Sequence, residues 1–113
     1  MHDEHTVELV VGNLFSNRDR AAALKILEEY GRESYHGEIH RVQLAVLMIS
    51  QGRVESLRTA MDLALLDYRD ALASAEYPRT MALGPGASGK ALKQARKEDA
   101  EEYTEWLAAN SRA

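Results

Sequence analysis

An all-α fold is what this sequence predicts, and three observations predict it. Apolar residues recur at helical spacing along nearly the whole chain. Glycine or proline marks most of the places where a helix would have to stop, at Gly31, Gly52 and Pro78. A parallel sheet has no candidate strands, and only Val7, Leu9 and Val11 alternate as a strand would. The expectation is a compact bundle of four to five helices, with a long fourth helix and a Gly/Pro linker before the last one. At 113 residues the chain is one domain, 1–113, long enough to bury roughly two-thirds of its unfolded surface.

The first element, Asp3 to Phe15, places Val7, Val10, Val11 and Leu14 at helical spacing, with a strand as the competing reading. "SNRD" then resembles a capping box, Ser16 with an acid three residues on. The helix it opens carries Leu24, Leu27 and Tyr30, and Gly31 stands where a C-terminal cap belongs. A third helix runs from about Glu38 to Ser50 and stops at Gly52. The fourth, Val54 to Glu76, ends at Tyr77-Pro78, because a residue before proline is pushed out of helical geometry. Such a strut would be about 34 Å long. "PRTMALGPGASG" reads as a flexible linker over 79–89, and a peripheral C-terminal helix occupies 90–110.

Composition sets outer bounds on function. Apolar residues make up 45% and charged residues 28%, ordinary for a globular chain and unlike a disordered one. The net charge of −4 lacks the basic surplus that neutralises phosphates, so no nucleic-acid partner is expected. With no cysteine, disulfides, thiolate chemistry and Cys-type zinc sites are excluded. The N-terminus is acidic where a secretory leader would be basic. The longest apolar run, Leu44 to Ile49, falls far short of the ~20 residues that span a bilayer, so no membrane partner is expected and the location is cytoplasmic.

Helices three and four are apolar on two sides. On the fourth, Val54, Leu57, Met61, Ala64, Leu65, Tyr68, Leu72 and Ala75 form one stripe, while Leu63 and Leu66 fall opposite it. On the third, Ile39, Val42, Ala45, Val46 and Ile49 share a face that Leu44 and Leu47 do not. One such helix could sit at the centre of a bundle, but two are hard to bury in a chain this short. Each buried leucine is worth about 1.5–3 kcal/mol. A second copy in two-fold symmetry would cover them, making Leu44, Leu47, Leu63 and Leu66 an intermolecular seam between antiparallel hairpins. Scattered surface leucines are the plain alternative.

Several motifs tempt a chemical reading. Gly84, four residues, then Gly89-Lys90 has P-loop spacing, but Ala91 replaces the magnesium-binding hydroxyl, and no strand precedes the motif. A glycine-rich linker capped by Ser88 explains the same letters. His36 and His40 lie four apart with Glu33 one turn earlier, two or three possible metal or small-ligand contacts to which Tyr68 could add. Gly37 weakens the helix between them, and only one Glu-x-x-His pair exists where a di-iron bundle needs two, so no cofactor is expected. No serine sits in a G-x-S-x-G context. Arg58, Asp62 and Arg69 read as a solvated salt-bridging stripe, so no catalytic residue is assigned.

In the last helix, Lys90, Lys93, Arg96 and Lys97 precede Glu98, Asp99, Glu101, Glu102 and Glu105. That order opposes the helix macrodipole. Its stripe of Leu92, Ala95, Tyr103, Trp106 and Leu107 is interrupted by Arg96 and Asp99, so the helix should be held by packing at its C-terminal end. The alternative is a docking arm whose basic start meets an acidic partner.

The segment "DYRDALASAEYP", Asp67 to Pro78, resembles short, uncharacterised helical proteins of bacteria, over about residues 20–80 of this chain. The resemblance implies a bacterial cytoplasmic protein and brings no activity or site residue with it. Taken together, the residues point to a non-enzymatic helical protein that acts through protein–protein contacts as a homodimer. The alternatives are a small-ligand or metal-binding module on His36, His40 and Glu33, and nucleic-acid binding through 90–97.

Overall fold

A computed structural model describes residues 2–113, and Met1 of the expected domain lies outside the described residues. Among them are seven α-helices and no strand: α1 Glu4–Leu14, α2 Asn17–Leu27, α3 Ile39–Ser50, α4 Val54–Leu66, α5 Tyr68–Glu76, α6 Pro78–Leu83 and α7 Gly89–Asn110. The all-α class therefore holds. Two events raise the helix count above the expected four to five.

The first is a break in the long fourth helix. Asp67 adopts an extended backbone, φ −156° and ψ 103°, and serves both sides of the break. Its N–H donates to the Leu63 carbonyl and closes α4. Its side chain accepts the Arg69 N–H at 3.0 Å and opens α5. A short carboxylate placed this way satisfies donors that a new helix would otherwise leave orphaned. The 34 Å strut is replaced by two rods meeting at a knee.

The second event lies in the expected linker. Pro78 occupies the first position of α6, where its missing N–H costs nothing and its fixed φ suits a helix. Residues 78–83 are thus helical rather than flexible, and only the turn from Gly84 to Ser88 separates α6 from α7.

At the N-terminus the strand alternative is settled in favour of helix. Asp3 accepts the Thr6 N–H at 2.7 Å, an N-cap that fixes the direction of α1. Ser16 does stand at the N-cap of α2 but makes no capping bond to the backbone. Its hydroxyl instead reaches the Asp19 carboxylate at 3.5 Å. The end of α2 tightens into turns through Tyr30, whose hydroxyl donates to the Gly37 carbonyl at 2.7 Å.

α3 is the central element and packs against α1, α4 and α5. Both arms of the broken helix pack against it, as does α1. Val42, Leu44, Ala45, Val46 and Leu47 all lose their solvent exposure entirely. This corrects the expected seam: Leu44 and Leu47 belong to the chain's own core, joined there by Val10, Leu57 and Met61.

The α3–α4 turn brings Gly52 against the end of α1. Its φ is +77°, and a Cβ there would sit 2.8 Å from the Leu14 carbonyl oxygen. Glycine supplies both the left-handed geometry and the clearance. The molecule measures 45 × 30 × 23 Å.

Candidate functional site

Two surface features stand out once the core is built. One is an open groove of about 750 Å³ where the start of α3, the end of α5, α6 and α7 converge. The other is the outer side of the α4–α5 knee.

The groove is organised by two charged networks. In the first, Arg41 on α3 reaches Glu76 at the end of α5. Its Nη2 donates to Glu76 Oε1 at 2.6 Å and its Nε to Oε2 at 2.8 Å, the fork-on-fork geometry that makes arginine–carboxylate pairs directional. Arg41 Nη1 also donates to Glu38 Oε1 at 2.8 Å. These carboxylates hold the Arg41 guanidinium well above its ordinary range, the Glu76 hydrogen bonds most of all. Glu38 takes a left-handed backbone, φ 51°, at the N-cap of α3. For a residue with a Cβ that costs roughly 1–2 kcal/mol.

The second network centres on Asp99. Its side chain is only 2% exposed. It accepts the Arg79 N–H at 3.1 Å, the Thr80 N–H at 3.0 Å and the Thr80 hydroxyl at 2.8 Å. α6 has no side-chain cap of its own, so a carboxylate from α7 provides one across the hairpin. Burial pushes the Asp99 carboxyl up, but its hydrogen bonds to Thr80 and Arg79 outweigh that and hold it below the usual carboxylate range. Arg79 Nη1 adds an ion pair at 3.3 Å, and its Nη2 reaches Glu102 at 2.9 Å. The sequence pattern showed Asp99 only as an interruption of an apolar stripe. Its role depends on a partner 20 residues away.

Between these networks lies Tyr103. Its hydroxyl is 3.2 Å from His2 Nε2, and its ring is 6.1 Å from that of Trp106. Burial, then the negative charge of Glu76, push the Tyr103 hydroxyl up to about 12. Tyr77 and Ala100 line the same groove, and Arg96 borders it without an ion-pair partner among the described residues.

At the knee, Leu66 is 87% exposed at the last position of α4. Leu63, Leu65 and Tyr35 are exposed large apolar side chains as well. Leu65 and Leu66 line a hollow of about 310 Å³ with Tyr30, Tyr35 and Tyr68. Of the four expected seam leucines, Leu63 and Leu66 are at the surface and Leu44 and Leu47 are not.

The histidine set does not converge. His36 turns back on its own loop, where Nδ1 accepts the Gly31 N–H at 2.9 Å. Its ring stacks on Tyr30 at 4.4 Å. His40 faces a different hollow, with Val7, Leu27 and Gln43. Among the described residues no three of His, Asp, Glu or Cys are grouped to hold a metal ion. Gly84 to Ser88 forms the turn into α7, Gly89 and Lys90 open that helix, and the segment before the turn is α6 rather than a strand. The expected stripe on helix four divides at the break: Arg58 pairs with Asp62 and Glu29, while Arg69 pairs with Asp67.

Among the described residues no helix is long and apolar enough to cross a membrane. Comparison with protein-family models, with curated proteins and with solved structures finds no match for this chain.

Proposed function

We propose that the chain acts through protein–protein contact rather than catalysis, and that it associates with a second copy of itself through the α4–α5 knee. The observation that carries this reading is Leu66, almost fully exposed beside Leu63, Leu65 and Tyr35. A leucine left in water forgoes about 1.5–3 kcal/mol that burial would return. The surroundings suit a two-fold partner. Arg58–Asp62 and Arg69–Asp67 lie on α4 and at the knee, and each places a positive and a negative group close together. A patch that carries both signs can be its own complement across a two-fold axis. The seam is therefore smaller than the sequence implied, with Leu63 and Leu66 in it and Leu44 and Leu47 removed. A bacterial, cytoplasmic setting belongs to the same proposal and rests on the resemblance of Asp67 to Pro78.

Light scattering coupled to size exclusion, run across micromolar concentrations, tests it. The expected result is a dimer that Leu66→Glu converts to a monomer with unchanged helical content. A monomer at every concentration, or a dimer indifferent to Leu66→Glu, overturns the reading.

A further inference from the structure

We propose that the groove between α3, α5, α6 and α7 is a binding site for a small organic cation, an ammonium group on an apolar body. Its volume of about 750 Å³ lies within the range of sites that enclose small molecules. The walls combine the aromatic rings of Tyr77 and Tyr103 with the methyl of Ala100. Ring faces attract cations through their quadrupole and shelter apolar bodies equally well.

Charge decides between a cation and an anion. Asp99 is offset by Arg79, but at the α3 end of the groove two carboxylates, Glu38 and Glu76, share the single guanidinium of Arg41, with His2 as the other basic side chain in the lining and Arg96 at the opposite border. Arg41 is already committed to Glu76 and Glu38, and both oxygens of Asp99 are committed to α6. Glu38 gives only Oε1 to Arg41, and its half-exposed side chain leaves Oε2 open to solvent and to a ligand. Burial first, then Glu76, pushes the Tyr103 hydroxyl up, so the phenol in the groove wall stays neutral beside a cation. Arg96, unpaired at the border with the α6–α7 turn, repels a cation from that end and directs it toward Glu38.

The backbone at Glu38 points the same way. Gly37 stands next to it, yet the left-handed conformation falls on the glutamate. That geometry, held by Arg41, keeps a carboxylate at the groove where a glycine would have been easier to fold.

The test uses the full chain with 2-phenylethylammonium as probe and the single tryptophan, Trp106, as reporter. The expected result is a saturable change in Trp106 fluorescence at about millimolar probe, as suits so small a ligand. Phenylacetate, with the same body and the opposite charge, should give no saturable change. Glu38→Gln should weaken the probe at least about fivefold, and Arg96→Gln should tighten it, both following the charge at the site. Glu38→Gly should weaken the probe as Glu38→Gln does while melting no earlier, which separates binding from folding. Leu66→Glu should bind the probe as the parent chain does, so this site stands or falls apart from self-association. Phenylacetate binding as tightly as the ammonium, a Glu38→Gln variant that binds like the parent, or no saturation at all overturns the proposal.

Discussion

α3 and α7 are held in place by different forces. α3 has 12 residues and buries Val42, Leu44, Ala45, Val46, Leu47 and Ser50. α7 has 22 residues and buries only Ala95 and Asp99. The short helix is fixed by apolar area on several sides, a force that is non-directional and insensitive to pH. The long one is fixed by a few oriented contacts: Asp99 on α6, Asn13 Nδ2 donating to the Asn110 and Arg112 carbonyls at 2.8 Å, and Trp106 and Leu107 against the core. A helix held this way can open locally while the core stays folded. α3 cannot, because removing it removes the core.

The most severe test of this contrast is Leu47→Ala. Leu47 is fully buried between its neighbours, so deletion removes transfer energy and leaves a cavity. The expected loss is about 2–5 kcal/mol, read as a lower urea midpoint for the whole molecule. If unfolding stays cooperative, every helix should report the same midpoint.

Asp99→Ala should behave differently. It leaves the Arg79 and Thr80 N–H groups without their acceptor, at a cost of about 2 kcal/mol. The loss should appear as faster amide exchange across α6 and α7, with α3 unchanged. Uniform acceleration would show that α7 is as integral as α3. A pH dependence follows from the lowered Asp99 carboxyl. A carboxylate with a depressed folded pKa contributes stability fully above its unfolded value, about 3.9, and loses it as pH falls through the folded value. The clasp should therefore hold unchanged from neutrality to about pH 4 and loosen below that. Asp99→Asn should show no such acid-dependent step in α6–α7 exchange.

What was legible in the sequence follows the same division. Core periodicity survives in local order, so Val10, Val42, Leu57 and Met61 could be read directly as buried stripe residues. Leu63 and Leu66 were visible as residues off the stripe, and they lie at the surface. Leu44 and Leu47 misled because the periodicity of α3 does not show that α1, α4 and α5 all pack against it and leave none of its leucines exposed. The signal was present, since aspartate is among the best N-cap residues, but Leu66 and Tyr68 on either side hid it. α6 was hidden by the glycines after it, although a proline followed by "RTMAL" is a good helix start. The groove was beyond reach, because Arg41–Glu76 and Arg79–Asp99 join positions 35 and 20 residues apart.

The knee itself is the next point to press. Asp67→Ala removes the cap of α5 and should cost about 1 kcal/mol. Because α4 and α5 both cover α3, the loss should be global, as for Leu47, though smaller. A loss confined to exchange in α5 would mean that tertiary packing alone keeps the bend.

The smallest effect concerns the other end of α7 and has the opposite sign. Its first turn contains no acid and its last turn no base, so neither terminus is matched to the macrodipole. Lys90 is exposed in that first turn, where a positive charge faces the positive end of the helix. Lys90→Glu reverses the interaction and places a glutamate three residues before Lys93, a spacing that favours an ion pair. The expected gain is about 0.3–1 kcal/mol at low salt, fading as ionic strength rises. It should appear as slower amide exchange near the start of α7, with the urea midpoint of α3 unmoved. A gain that reached α3 as well would mean that the two helices open together, and the contrast between a locked core and a clasped arm would not stand.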